Sequence, residues 1–319
     1  MRRWIDLWNA YWFPTTSTLP LALSRILAVA AQLLFFFPSL EYNTNLLVKN
    51  TAFINPQLLV RIIMAVVPRD VFFTPVTFTA LYWITAIAGL LALIGLRTRL
   101  ALFVFALGSW IFVSHQYSYG DRHHTEALYA MFLMALAFAP SGDSLSVDAW
   151  LRRRRTGAAS RERSDFAMWP LRFVHVMLAL TYLSTGASKL VLGGFRWMNG
   201  YTLQVYTFSD ALSRDMSLGI WLAQQHNLAI VLSVGTILFE TFYFLSIIVP
   251  WTAPLFFVGA ILFHLGLYYS AAHPFFQNMM LNFILLLVIA PPWWRTWMDK
   301  VSGGVSARWL DPMRAGEPA

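Results

Sequence analysis

FTPVTFTALYWITAIAGLLALIGLRTRLALFVFALGSWIFVSH, residues Phe73–His115, is the stretch whose reading decides the fold. Before its final histidine it carries two charges, Arg97 and Arg99, both in the turn Gly95-Leu96-Arg97-Thr98-Arg99. A helix needs about 20 apolar residues to cross the ~30 Å hydrocarbon core of a bilayer. Phe73–Leu96 meets that length and Leu100–His115 approaches it, so the stretch reads as a hairpin of two transmembrane helices. The same pattern recurs outward at Thr18–Leu40, His124–Pro140, Trp169–Lys189, Leu228–Val249, Pro254–Ala272 and Gln277–Pro291. The resulting expectation is an all-α polytopic membrane bundle of about eight spans. Leu100–His115, His124–Pro140 and Gln277–Pro291 are short, which leaves seven as the alternative count. Ala52–Val67, interrupted by Pro56 and Arg61, and Asp210–Gln225 read as helices lying in the outer interface.

Composition agrees. Of 319 residues, 58% are hydrophobic and 12% charged, against about 25% charged in soluble domains; mean hydropathy is +0.57. One bundle over residues 1–292 uses the length, followed by a short cytoplasmic tail, 293–319. The net charge of +8 suggests nucleic acid only at first sight. Its carriers lie between hydrophobic spans, where topology explains them and no nucleic-acid partner is expected. The chain has no cysteine, which excludes disulfides, thiolate catalysis and zinc–thiolate sites. Met1-Arg2-Arg3-Trp4 is basic, but no small-residue cleavage site follows a short apolar core, so the first span is expected to be retained.

With the amino terminus inside, 15 of the 23 Lys and Arg fall on the inner side and seven on the outer, Arg25 lying within the first span. The bias predicts cytoplasmic termini and an even number of spans. The expected location is a bacterial cytoplasmic membrane. The run Arg152–Arg155 reads as a topology signal against anionic lipid head groups.

Ionisable side chains inside spans are costly and face the bundle interior. The clearest here are Arg25, Glu126, His175, Lys189, Glu240 and His264. Counted from the inner helix ends at 1.5 Å per residue, Arg25 and Glu240 fall at similar depth, and a buried ion pair between them is predicted. The outer side gathers His123, His124 and Glu126 at the start of the fourth span, and Lys189 with Trp197 and Tyr201 after the fifth. His226 and the last outer turn's His273 join them. This is the pattern of a site assembled from several helix ends; ordinary interfacial capping histidines are the alternative. Lys189 follows Thr185-Gly186-Ala187-Ser188, small residues that let helices approach closely. A lysine packed there loses hydration and becomes a candidate general base, whereas one at an open helix end snorkels to water. No HExxH or repeated HxxxH spacing is present and no metal site is expected, nor are phosphate loops or a GxSxG elbow found.

Tyr182-Leu183-Ser184-Thr185-Gly186-Ala187-Ser188-Lys189-Leu190, with Trp197 and Gly200-Tyr201 beyond, resembles the HTTM (horizontally transferred transmembrane) domain, the membrane part of vitamin K-dependent gamma-carboxylase. His124 before an apolar helix, Ser146-Val147-Asp148, Phe263-His264, Leu21-Ala22-Leu23-Ser24-Arg25-Ile26 and the 95–99 turn resemble the same family, over roughly Leu19 to Pro292. The resemblance implies a vitamin K-like hydroquinone as cofactor, with Lys189 as the base that deprotonates it and His124 assisting. A pocket of His123, Glu126, Trp197, Tyr201, His264 and His273 would surround them. Two departures matter: Ser188 stands where the carboxylase has a second lysine, and no counterpart of its large C-terminal lumenal part is present. Peptide carboxylation is therefore expected only with a partner protein that supplies recognition. The alternatives are a non-catalytic component of a larger membrane complex and a small transporter coupled through Arg25 and Glu240.

Overall fold

The computed structural model describes residues 2–49, 54–120, 124–157 and 163–289, with Arg2 and His124 described by backbone alone. Contacts divide them into two units, one up to Phe173 and one from Val174 onward.

The first unit opens with α1 (Arg2–Trp12), an amphipathic helix that presents Trp4 and Trp8 outward. A two-residue antiparallel pair, β1 (Thr16–Ser17) with β2 (Arg163–Ser164), is the strand content among the described residues. The helix α2 (Leu19–Phe35) breaks before Pro38, and α3 (Leu40–Leu47) continues at 61° to it. Short helices α4 (Leu58–Val66) and α5 (Arg69–Phe72) lead to the hairpin of α6 (Pro75–Ile94) and α7 (Thr98–Tyr117). Thr74 caps α6 by accepting the Thr77 N–H at 3.2 Å. Two glycines let the hairpin close: a Cβ at Gly89 would strike Phe105 and Leu33, and one at Gly108 would strike Thr85. The remaining helices are α8 (His124–Ala137) and α9 (Val147–Thr156). The core gathers Leu21, Ala28, Phe78, Phe105, Phe112, Phe132 and Leu136, all fully buried. Within it the Tyr129 hydroxyl donates to the Ala28 carbonyl at 2.9 Å, satisfying its one polar atom.

The second unit begins within α10 (Trp169–Gly193), extended by a 3₁₀ turn, Gly194–Asn199. Then come α11 (Tyr201–Arg214), α12 (Ser217–Ala223), α13 (His226–Phe242), the short α14 (Leu245–Ile248), α15 (Ala253–Ala271) and α16 (Phe276–Val288). A Cβ at Gly219 would overlap the Ser270 carbonyl, so α12 lies against α15 backbone to backbone.

The sequence expectation of a helical membrane bundle holds, and each of the eight expected segments is helical over most of its described residues. Their lengths differ from expectation. Among the described residues four helices are long and apolar enough to cross a membrane, or six if each bent pair counts as one span. Helix α7 has 20 residues and is not short. Helices α8 and α16, with 14 and 13, are. The expected span Thr18–Leu40 ends at Phe35, and Leu228–Val249 starts two residues earlier and breaks at Tyr243. The segment Asp210–Gln225 is not one helix: Asp215, with φ +56°, ends α11 and turns the chain into α12. A 100° bend then separates α12 from α13. Helices α1 and α11 escaped the sequence reading, because short amphipathic helices lack a long apolar run.

Candidate functional site

Tyr182, Gly186 and Lys189 stand at i, i+4 and i+7 on α10 and so share one face. At Gly186 that face meets α13 so closely that a Cβ would lie 2.9 Å from the Thr241 backbone nitrogen. One turn further, the contact admits a long side chain. There Lys189 Nζ donates to Glu240 Oε1 at 2.7 Å and Oε2 at 2.5 Å. The Trp197 ring, from the 3₁₀ turn that extends α10, sits 5.3 Å from the ammonium. Glu240 is 6% exposed and Lys189 23%, so the pair is enclosed on the carboxylate side and open on the amine side. An ion pair in such surroundings persists because removing either partner strands the other's charge.

A run of polar groups continues from this pair into the unit's interior. Tyr182 Oη and His264 Nε2 are 2.8 Å apart, joining α10 to α15. The Tyr182 ring stacks on Tyr243 at 4.4 Å between centroids. The Tyr243 hydroxyl donates to Asn282 Oδ1 at 2.6 Å, and Asn282 Nδ2 donates to the Asn278 carbonyl at 2.8 Å. His175 Nε2 lies 2.8 Å from Ser246 Oγ. Asn278 is 1% exposed, and among the described residues neither atom of its side-chain amide has a partner. A buried polar group of that kind is uncommon in a native protein.

The structure therefore redistributes the predicted site. Lys189, Glu240 and Trp197 are together, and His264 joins through Tyr182. Arg25 and Glu240, expected to pair, lie in different units, and each has partners within its own. Both oxygens of Glu240 are taken by Lys189. Arg25, fully buried in the first unit, donates NH1 to the Ser141 carbonyl at 2.9 Å and NH2 to the Leu145 carbonyl at 2.5 Å. Tyr201 is exposed, with its ring 4.5 Å from that of His226, whose Nδ1 is 2.8 Å from Gln204 Oε1. His273 pairs with Asp210 at 2.9 Å. Glu126, in the first unit, accepts from the Tyr117 hydroxyl at 3.0 Å and from Thr125 at 2.9 Å. His123 lies outside the described residues, as does the side chain of His124, whose backbone opens α8. Among the described residues no three His, Asp or Glu side chains are grouped to hold a metal ion.

In the first unit, three separate sequence motifs converge on one turn. Gly95, at φ +72°, ends α6, and Arg97, at φ +47°, opens α7. The Asp148 carboxylate accepts from Arg97 N at 2.8 Å, Thr98 N at 2.7 Å and Thr98 Oγ1 at 2.7 Å. Asp148 thus caps α7 from the start of α9, where Ser146 is the N-cap. A Cβ at Gly95 would lie 2.4 Å from Ser146 Cβ and 2.6 Å from Arg25 NH1, so glycine is required by space as well as by φ. Burial pushes the Asp148 carboxyl up, but the hydrogen bonds from Thr98 and Arg97, with the Arg152 charge, outweigh it and hold it below its ordinary range.

A family model described as HTTM domain matches residues 63–293. The chain belongs to the HTTM family. Nothing among curated proteins or solved structures matches it. The HTTM match takes in Lys189, Glu240, Trp197, the buried tyrosines and the Asp148-capped turn, and begins after Arg25. In this HTTM chain the sequence reading missed Tyr182, Tyr243, Asn278 and Asn282 as members of the polar run. Asn278 and Asn282 at i, i+4 inside the last apolar helix were the available signal.

Proposed function

We propose that the second unit of this HTTM protein binds the polar head of a reduced, lipid-soluble quinone and that the Lys189–Glu240 pair takes up a proton from its hydroxyl. The observation that carries the reading is the half-open ion pair: an enclosed carboxylate, an accessible ammonium and the Trp197 ring beside it, set in apolar helices.

The proton balance is simple. Lys189 passes one ammonium proton to Glu240, and the amine so formed accepts the quinol hydroxyl proton. The result is a quinolate anion beside a restored ammonium and a neutral Glu240. In this reading the carboxylate is the net base and Lys189 the relay. The ammonium then lies where negative charge develops, the arrangement that lowers such barriers most. Trp197 supplies a flat apolar surface for the ring. Peptide carboxylation belongs to this reading only if a partner protein brings the peptide. The charge bias of the loops supports cytoplasmic termini.

The test is to reconstitute the protein with a reduced quinone and follow its ultraviolet spectrum. Lys189→Met and Glu240→Gln are each expected to slow consumption by about 10²–10⁴-fold, the range of general acid–base catalysis. Equal consumption by wild type and both variants ends the proposal. A second reading is favoured by the Gly186–Thr241 contact: the pair clamps α10 to α13 in a non-catalytic component of a larger membrane complex. Partners that co-purify stoichiometrically, with no quinol turnover, would select it. A small transporter coupled through Arg25 and Glu240 is the third reading, and solute flux in sealed vesicles abolished by Glu240→Gln would select it.

A further inference from the structure

A cavity of about 570 Å³ opens in the first unit beside the turn between α6 and α7. Its wall includes Arg97, Arg99, Arg152, Asp143, Asp148 and Gly142. We propose that this cavity is a discrete binding site for the phosphate head group of an anionic phospholipid.

Charge bookkeeping within the wall leaves an uncompensated cationic surface. Asp148 is engaged by the amides of Arg97 and Thr98 and by the Thr98 hydroxyl. Asp143 accepts from Arg152 NH1 at 3.1 Å. Both carboxylates are thus occupied, while among the described residues the Arg97 and Arg99 guanidinium groups have no hydrogen-bond or ion-pair partner. Arg152 Nε and NH2 are shielded from solvent and likewise lack a partner. Guanidinium N–H groups placed this way match phosphate oxygens in number and geometry.

The wall is rigid, which separates a site from a diffuse positive surface. The Asp148 cap fixes the turn, and Gly142 leaves room where a Cβ would strike Thr98 Oγ1 at 2.5 Å. Exposed apolar side chains accompany the wall: Leu100, part of it, is 57% exposed, and Phe138, Leu145 and Trp150, each two positions in sequence from a wall residue, are 64%, 53% and 51% exposed. A soluble phosphate has no use for them, whereas acyl chains do. Trp150 also stacks under Arg154 at 4.1 Å, a combination suited to the head-group level of a bilayer.

The experiment places full-length protein in nanodiscs of phosphatidylcholine with a minor share of phosphatidylglycerol and counts retained lipids by native mass spectrometry. Arg97→Gln with Arg99→Gln is compared with Arg153→Gln plus Arg155→Gln, which removes the same charge from α9 outside the cavity. Losing the hydrogen bonds of one guanidinium to the phosphate is worth at least about a fivefold change in affinity, so the first pair, which lines the cavity, is expected to weaken phosphatidylglycerol retention about 25-fold and the second, which does not, far less. Equal weakening by both pairs overturns the proposal in favour of a diffuse basic surface. Inorganic phosphate is the second arm: release of phosphatidylglycerol at low millimolar phosphate overturns the lipid assignment and leaves a soluble-phosphate site. Tryptophan-monitored melting reports whether the variants fold. If the double variant does not, Arg99→Gln alone, with a fivefold expectation, decides between the same outcomes.

Discussion

Each unit buries a positive charge in apolar surroundings, and they do so by different means. In the first unit Arg25 is fully enclosed and is met by backbone carbonyls of the segment after α8. Those acceptors are dipoles fixed by the chain's own path, so they cannot take a proton or move away. In the second unit Lys189 is met by a carboxylate on another helix, and the pair stays partly open. Such a pair can exchange a proton and can be parted by a ligand. The contrast teaches that a costly buried charge is not by itself a sign of chemistry. What distinguishes a working site is a partner that can change state and a path by which something can reach it.

The comparison breaks most readily at Arg25. Arg25→Met removes the charge and leaves two carbonyls without donors, and a loss of about 4 kcal/mol is expected. Chemical denaturation in detergent measures it; a loss under about 1 kcal/mol would mean the carbonyls find other donors easily. In the second unit the corresponding change has a remedy. Glu240→Gln alone is expected to cost about 3 kcal/mol, and Lys189→Met with Glu240→Leu to recover most of that, because no charge is left stranded. Failure of the double variant to recover would show that the pair does more for the fold than neutralise itself. The smallest effect is expected at Asp148. Its carboxyl is held below the ordinary range in the folded chain, so its contribution is present above the unfolded value of about 4 and fades as pH falls through the lower folded value. Asp148→Asn should cost about 1 kcal/mol at neutral pH and flatten the acid limb of stability. An acid limb unchanged in the variant would assign the pH dependence to other carboxylates.

The membrane bundle was legible because apolar runs of helical length survive any packing. The Gly95-to-Arg99 turn was legible for a related reason: a glycine and two arginines between two spans admit little but a tight hairpin. Partner choice was not legible. Arg25 and Glu240 matched in depth and sign, yet depth along a straight helix says nothing about which face a side chain occupies or which neighbour lies there. The Lys189–Glu240 pair depends on Gly186 bringing α10 onto α13, a contact between residues 55 apart in sequence. The polar run through Tyr182, Tyr243 and Asn282 was hidden for a similar reason, since each member looks like an ordinary residue of its own helix.

The contact at Gly186 also sets a mechanical condition on the neighbouring ion pair. With the α10 backbone seated directly on that of α13, neither helix can slide or roll there without colliding with the other. On the proposed reading, a quinol head beside Lys189 would be admitted by rearranging side chains, Trp197 foremost, while the helices themselves stay still.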